Sequence, residues 1–214
     1  QEVQLLGTAL DDKLHYIVGA FYFDENAHQR TAGDLLPPYG LTYTSAYLRT
    51  KSESLAGYGQ VDWEFIPTVT ASAGIRFTHD TKDFFGITQD GAFGPDVNVV
   101  YHIKADVWTP KFNLQWQFSP HAQVYATVSR GYRAAGFNSL TLADPTTYGS
   151  PYKPEYSWSY EVGTKFDTWD RRLRVNLAAY YEELSDLQTL ADAGGGSFIT
   201  QNAAKSRVQG IEIE

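Results

Sequence analysis

Long stretches in which apolar and polar residues alternate strictly constrain this chain more than any other feature. In the run from Ala122 to Phe137, one set of alternate positions is apolar and the other is polar, except that Arg130 interrupts the apolar set near the end of the run. The apolar set is Val124, Ala126, Val128 and Tyr132, and the polar set is Tyr125, Thr127, Ser129 and Arg133. The alternation continues beyond the ~5–6 residues of a typical soluble strand, so it predicts an unusually long β-strand with one apolar face.

The same period of two recurs along the whole sequence. It predicts about nine long strands, which are Val3–Gly7, Leu14–Glu25, Leu55–Phe65, Thr68–Asp80, Trp108–Phe118, Ala122–Phe137, Ser157–Asp167, Arg172–Glu182 and Phe198–Glu214. The second of these carries aromatic residues on both faces, and we expect a bulge within the last.

The connections between these strands alternate in length. Short connections are predicted at Ala9–Lys13, Pro67, Ser119–His121 and Thr168–Arg171, and long ones at Asn26–Glu53, Phe84–Ala105, Asn138–Glu155 and Thr189–Ser197. In an up-and-down antiparallel sheet, alternate connections lie at the same end, so all short turns share one end. We therefore predict an all-β fold, an antiparallel up-and-down transmembrane β-barrel with short periplasmic turns and long extracellular loops. A soluble β-sandwich or solenoid, whose strands also alternate, is the alternative.

Composition narrows the classes of function. The sequence has no apolar run of about 18 residues, so we expect no transmembrane helix. Cysteine is absent, which excludes disulfide scaffolds and cysteine-ligated zinc. The net charge of −8 argues against nucleic acid as a partner. No nucleophile–base pair or pair of catalytic carboxylates is evident, so we predict neither an enzyme nor a cofactor. His79, Asp80 and Asp90 indicate a metal site only faintly, and we predict none.

Four segments resemble successive strands of TonB-dependent outer-membrane receptors. Val124–Asn138 resembles a strand of that family, and Gly74–Lys82 resembles an earlier one. Tyr152–Glu155 followed by Ser157–Gly163 is similar to the family pattern Lys-Pro-Glu, Ser, then Tyr-Glu-hydrophobic-Gly. Asn202–Glu214 resembles the next strand. The segments occur in the family's order and span most of the chain from Leu55 onward.

The resemblance implies a 22-stranded barrel that encloses an N-terminal plug domain and is energised through TonB from the inner membrane. It also implies an active importer of the bacterial outer membrane, most of all for a small-molecule metal chelate such as a ferric siderophore. We expect residues 1–214 to be part of this barrel domain, with the plug and remaining strands outside the chain and the first and last strands unpaired with each other. The alternative is a self-contained β-sheet binding or assembly module without a transport role.

The polar positions of the strands are predicted to line the barrel lumen and face the plug. They are Gln60, Asp62, Glu64, Arg76, Lys111, Gln115, Glu161, Lys165, Arg172 and Arg174. The apolar positions are predicted to face lipid and include Val69, Ala71, Ile75, Phe112, Leu114, Leu173, Val175 and Leu177. The alternative for the polar set is the solvated face of a soluble sheet.

Aromatic residues of the outer loops are candidate ligand contacts because they can stack on a catecholate or sugar ring. They are Tyr39, Tyr43, Phe84, Phe85, Tyr101, Tyr148 and Tyr152. Each could instead belong to an aromatic girdle at the membrane surface, as could Trp63, Trp116, Trp158 and Trp169. Arg130 and Arg133 could attract an anionic ligand or a lipopolysaccharide phosphate, or simply extend towards the membrane interface.

Overall fold

The computed structural model describes residues 1–33, 44–90, 97–138, 148–168, 172–194 and 197–214, and in these ranges the chain is built from β-strands. The strands are β1 (Glu2–Ala9), β2 (Leu14–Gly33), β3 (Thr44–Ile66), β4 (Val69–Asp90), β5 (Val97–Ser119), β6 (Ala122–Arg133), β7 (Gly136–Phe137), β8 (Pro151–Tyr152), β9 (Glu155–Thr168), β10 (Leu173–Ser185), β11 (Gln188–Gly194), β12 (Ser197–Asn202) and β13 (Lys205–Ile213). Within the described ranges, no helix has the length and apolar character needed to cross a membrane.

Nine of these strands form one antiparallel up-and-down sheet. Its order is β1-β2-β3-β4-β5-β6-β9-β10-β13, so neighbours in the sheet follow one another along the chain except where a short ribbon intervenes. The ribbons are two-stranded sheets, β7–β8 and β11–β12. The prediction of about nine antiparallel strands is confirmed. β1 and β13 lie at opposite ends of the sheet, so this part of a barrel wall is not closed.

Tight turns collect at one end of the sheet, as predicted. The β1–β2 turn runs through Leu10, Asp11 and Asp12, all in the left-handed region with φ of 56°, 53° and 63°. The β3–β4 turn has Thr68 at φ 76°, and the Glu64 carboxylate accepts a hydrogen bond of 3.2 Å from the Thr68 backbone. A two-residue connection joins β5 to β6, and the longer connections lie at the opposite end.

The central strands reach much further than predicted. β2, β3, β4 and β5 have 20 to 23 residues each. The predicted loops at Asn26–Glu53 and Phe84–Ala105 are therefore wrong at their ends, because residues 26–33, 44–53, 84–90 and 97–105 are strand. Alternation fails as a signal there because both faces become polar or mixed, as in Glu53, Lys51 and Arg49 of β3.

Two predicted strands also end elsewhere. The run Ala122–Phe137 divides into β6 and the short β7. Phe198–Glu214 is not one bulged strand, because Phe198 belongs to β12 and pairs with Asp192 of β11, whereas β13 pairs with β10. The predicted loop Thr189–Ser197 is accordingly a β-hairpin over most of its length. Local alternation cannot show that a strand changes its partner between residues 202 and 205.

The pairing register gives the main sheet one apolar and one polar face. Val69, Ala71, Ile75, Phe112, Leu114, Leu173, Val175 and Leu177 share the apolar face, as the alternation predicted. Trp116 and Trp108 lie on this face of β5 with Leu114, Phe112 and Pro110 between them. Eight residues at ~3.3 Å each, tilted by ~40°, give an apolar band of about 20 Å height. Beyond Trp108 the same face becomes Asp106, Lys104 and His102.

Candidate functional site

The polar face carries networks built around tyrosine rings that lie across neighbouring strands. Tyr58 of β3 donates a hydrogen bond to the Glu2 carboxylate, and its Oη accepts one of 2.7 Å from Gln4 Nε2. The Arg76 guanidinium lies 5.6 Å from the centre of the Tyr58 ring and 5.0 Å from that of Phe21. Four strands, β1 to β4, are thereby linked through side chains as well as backbone.

A second network lies on β6 and β9. Tyr125 Oη donates a hydrogen bond of 2.7 Å to Glu161 Oε1, and Lys165 Nζ lies 5.6 Å from the centre of the Tyr125 ring. Beside it, Gln115 Nε2 donates to Gln123 Oε1 at 3.0 Å. Carboxylate, ammonium and amide groups therefore lie close together on this face. A polar surface packed against it could both donate and accept hydrogen bonds.

Glycine residues lie opposite two tyrosines of the polar face, Tyr125 and Tyr180, and leave room for each ring to lie across the neighbouring strand. On the polar face, Gly163 lies opposite Tyr125 and Gly210 lies opposite Tyr180. A Cβ atom at Gly163 would lie 2.6 Å from Cζ of Tyr125, and one at Gly210 would lie 2.9 Å from Cζ of Tyr180. A tyrosine ring that covers a cross-strand glycine fixes the strand register and leaves no gap in the face.

Nine of the ten predicted lumen positions share the polar face through the strand register, namely Gln60, Asp62, Glu64, Arg76, Lys111, Gln115, Glu161, Lys165 and Arg174. Arg172 lies in the turn that precedes β10 and is exposed. Arg174 pairs with Asp167 through two hydrogen bonds of 2.8 and 3.3 Å. That these residues face a lumen and a plug stays a prediction.

At the end with the long connections, the described residues between β6 and β9, which are 134–138 and 148–154, fold onto the polar face. β6 pairs with β5 from Ala122 to Ser129, which lie opposite Ser119 and Lys111 of β5, and then separates from it. The alternation placed Tyr132 on the apolar face, but its Oη donates a hydrogen bond of 2.6 Å to Asp80, which is 8% exposed. Because β6 has separated from β5 here, Tyr132 reaches the polar face, and its predicted place on the apolar face is wrong. Lys82 Nζ then donates to the Ala135 carbonyl at 2.7 Å.

The gap left between β5 and β6 is filled by Arg130. Its Nη1 donates a hydrogen bond of 3.2 Å to the Trp108 carbonyl, and the guanidinium lies 4.6 Å from the centre of the Tyr156 ring. Arg130 therefore caps a backbone group where strand pairing ends. That Arg130 or Arg133 attracts an anionic ligand or extends towards the membrane interface stays a prediction.

Under the folded-in segment lies a small apolar core. Leu48, Phe84 and Tyr148 are buried, with Val97, Val99, Tyr101 and Phe137 packed around them. The Phe84 ring centre lies 5.2 Å from that of Phe137 and 6.0 Å from that of Tyr148. Burial raises the pKa of the Tyr148 phenol to about 12. Its hydroxyl is buried and, within the described ranges, has no hydrogen-bond partner.

The predicted ligand-contacting aromatics are only partly brought together. Phe84, Tyr101 and Tyr148 meet in this core, and with 2% and 1% exposure Phe84 and Tyr148 do not present a ring to solvent. Phe85 lies on the other face and contacts Tyr47 edge-on at 6.4 Å between ring centres. Tyr152 covers Gly136 on the β7–β8 ribbon. Tyr39, Tyr43 and Trp169 lie outside the described residues.

Three amide side chains that sequence reasoning missed hold this end together. Asn138, Gln188 and Asn202 all bind backbone groups of segments distant in sequence, across separations such as 62 and 49 residues. No local pattern distinguishes an amide with such a partner from a solvated one.

Metal-ligating clusters are not apparent in the part of the chain that the structure describes. No group of three or more His, Cys, Asp or Glu side chains gathers there. His79 and His102 each pair with one carboxylate across β4 and β5, with His79 Nδ1 2.6 Å from Asp106 and His102 Nδ1 2.5 Å from Asp83. Two ligands of this kind do not enclose a metal ion.

Known proteins share this fold. The ferric yersiniabactin uptake receptor FyuA from Yersinia pestis aligns over 99% of this chain and 31% of its own, with a TM-score of 0.81 and 21% identity. The closed form of the ferric-catecholate import receptor Fiu from E. coli K12 aligns over 99% of this chain and 34% of its own, with a TM-score of 0.72 and 17% identity. At these identities the likeness shows the fold alone.

Sequence comparison shows the family. A pesticin receptor from Yersinia enterocolitica is 26% identical over 176 residues, which cover 81% of this chain and 25% of the relative. The chain thus spans about a quarter of the length of that curated relative. The family model described as "TonB dependent receptor-like, beta-barrel" matches residues 3–214. The resemblance seen in the sequence is confirmed, and this chain belongs to the family of TonB-dependent receptor β-barrels.

Proposed function

We propose that this chain forms part of the barrel wall and outer mouth of an active importer in the bacterial outer membrane, and that the importer takes up a ferric siderophore. The match of the family model to residues 3–214 carries the proposal. The complete importer encloses a plug domain and is energised through TonB. Its substrate binds between the plug and the outer connections and passes inward when the plug is remodelled.

The two faces of the sheet support placement in a membrane. Apolar side chains on one face are highly exposed in the isolated chain, with Val18 at 55%, Phe112 at 55% and Val162 at 58%. Outer-membrane barrels have an outward apolar band about 25 Å tall, bounded by aromatic girdles, which fits the band between Trp116 and Trp108. This face is proposed to contact lipid, and the charged positions beyond Trp108 to contact lipopolysaccharide.

The polar face fits a plug or a watery lumen better than it fits lipid. The network around Tyr58 holds Glu2 and Arg76 on this face, and the network around Tyr125 holds Glu161 and Lys165. Hydrocarbon cannot solvate such groups, and a charged side chain facing the bilayer midplane costs about 2–4 kcal/mol. Facing inward, the same side chains hydrogen-bond to water or to the surface of a plug.

Similar proteins favour a metal chelate as substrate. The similar structures include receptors for ferric yersiniabactin and ferric catecholates, and a further relative is a metal-pseudopaline receptor from Pseudomonas aeruginosa, 26% identical over 106 residues. Growth of a strain that lacks the receptor, supplied with single ferric siderophores as iron source, tests the choice. We expect growth to fail on one chelate and to return with the gene. Normal growth on every chelate, with loss of growth on a glycan or on cobalamin, would replace the siderophore by that substrate.

A further inference from the structure

We propose that Asn138, Gln188 and Asn202 are positioning residues that join the β6–β9 connection to the β11–β12 hairpin, so that the two act as one body at the mouth during substrate capture. The role in capture rests on the proposed function, whereas the joining rests on the contacts alone. The β7–β8 ribbon of that connection and the β11–β12 hairpin form two-stranded sheets separate from the main sheet.

The side chain of Asn138 pairs with the backbone of β12 in the way that a residue of a neighbouring strand would. Its Oδ1 accepts a hydrogen bond of 2.7 Å from the Thr200 backbone N–H, and its Nδ2 donates one of 3.0 Å to the Thr200 carbonyl. This two-way exchange reproduces the hydrogen-bonded pair of an antiparallel ladder. The backbone of Asn138 meanwhile binds its own segment, with the N–H donating to the Ser150 carbonyl and the carbonyl accepting from Gly149.

Asn202 makes the same exchange in the opposite direction. Its Oδ1 accepts from the Lys153 N–H at 2.7 Å, and its Nδ2 donates to the Lys153 carbonyl at 3.0 Å. Each segment therefore contributes one asparagine that pairs with a peptide group of the other. Because the two exchanges lie at different points along β12, together they prevent rotation of the hairpin about either one.

Gln188 closes the base of this junction. Its Nε2 donates to the carbonyls of Ala134 and Lys153, both at 3.0 Å, and its backbone N–H donates to Glu155 Oε2 at 2.7 Å. The joined body rests on the core around Phe84, since Lys82 holds Ala135 and Phe137 packs on Phe84. Asn138 is only 8% exposed, so water does not readily replace its hydrogen bonds.

The joined body holds apolar side chains in the mouth. Leu190 of β11 and Phe198 of β12 are 75% and 62% exposed, and they lie on the same face of the hairpin, because Leu190 pairs with Thr200 and Asp192 with Phe198. The three amides tie the hairpin that carries these side chains to the β6–β9 connection. A change at Asn138 should therefore reach a ligand without any contact between Asn138 and the ligand.

Hydrogen exchange of the complete receptor in detergent tests the joining. We expect Asn138→Ala to accelerate exchange about tenfold or more over both residues 188–202 and residues 150–153, and Asn202→Ala to do the same. The double variant should accelerate exchange further over the same two segments and over no others, because both amides hold one body. Asn113→Ala, which removes an amide bound to Thr127 on the main sheet, is the control and should leave both segments unchanged. Independent, additive effects confined to each variant's own neighbours would overturn the joining.

Binding of the ferric siderophore selected by the growth experiment tests the role in capture. We expect Asn138→Ala to weaken binding about tenfold and Asn138→Asp, which keeps the acceptor for Thr200, to weaken it less. Coupled exchange without any change in affinity would overturn the positioning role. If the unaltered receptor binds no siderophore, the proposed function fails while the exchange result still decides the joining.

Discussion

Gly163→Ala is the sharpest test of how the polar face is held in register. An alanine Cβ at this position would lie 2.6 Å from Cζ and Oη of Tyr125 and 2.8 Å from the carbonyl oxygen of Leu177. The first two atoms are at the end of a side chain that can swing away. The third belongs to the backbone of β10 and can move only if the strands separate.

Two costs add in this variant. Overpacking against a backbone atom in a well-packed structure typically costs about 1–3 kcal/mol. Displacing the Tyr125 ring breaks its hydrogen bond to Glu161, which is worth about 1 kcal/mol at a partly exposed site. We therefore expect Gly163→Ala to lower the free energy of unfolding by about 2–4 kcal/mol.

Gly74→Ala provides the matched control on the same face. Its Cβ would approach only the Gln60 side chain, at 3.5 Å, which is an ordinary contact. Replacing glycine by alanine at an unstrained site stabilises by about 0.4–1 kcal/mol, because the unfolded chain loses freedom. Guanidinium unfolding of the complete receptor in detergent, followed by tryptophan fluorescence, compares the midpoints. Equal midpoints for the two variants would refute the reasoning, and so would complete rescue of Gly163→Ala by Tyr125→Ala, which should recover only the part due to the ring.

Three further changes probe the two faces and the mouth. Val175→Arg should cost about 2–4 kcal/mol and reduce the folded fraction in lipid, whereas Val175→Leu should be tolerated; equal folded fractions would contradict the apolar face as a lipid contact. Phe84→Ala should cost about 3–5 kcal/mol, seen as faster hydrogen exchange at residues 148–153, whereas the neighbouring Phe85→Ala on the opposite face should leave that exchange unchanged. Tyr148→Phe should change stability by less than about 1 kcal/mol, because the buried hydroxyl has no partner among the described residues. Since the pKa of Tyr148 is raised to about 12, its contribution to docking of the connection is intact below pH ~10 and lost as the pH rises through 12. The protection of residues 148–153 against exchange, taken relative to the intrinsic exchange rate at each pH, should fall over that range in the unaltered receptor and not in Tyr148→Phe.

Alternation located the part of each strand that has one apolar and one polar face, but not the full length of the strand. Val69–Phe77 of β4 and Trp108–Phe118 of β5 were found because their two faces differ in polarity, which places opposite kinds of side chain at successive positions. Beyond His79 and Asp106 both faces carry polar or mixed side chains, and the contrast between them disappears. The strands nevertheless continue, because β2 to β5 pair with one another through backbone hydrogen bonds, which do not depend on the side chains.

The candidate site divides in the same way. The register placed Gln60, Arg76 and Glu161 on one face as expected, since a period of two fixes the face of every residue once one is known. The mouth was not predictable, because Phe84 and Tyr148 are separated by 64 positions and meet only where β6 leaves β5. Asn138 carries no sequence signal for the same reason, as its partner Thr200 is 62 residues away.

By itself the sequence determined the all-β class, the up-and-down order, the two faces and the family. Each of these depends on interactions that repeat every two residues or every strand, so their trace in the chain is periodic. Tertiary structure alone decided where β6 turns inward, which aromatic rings become a core, and which asparagines substitute for strand residues. These depend on single contacts between distant segments. A single contact between two distant residues produces no periodic pattern in the sequence. Its energy depends on the position of a partner residue, which is known only from the folded structure.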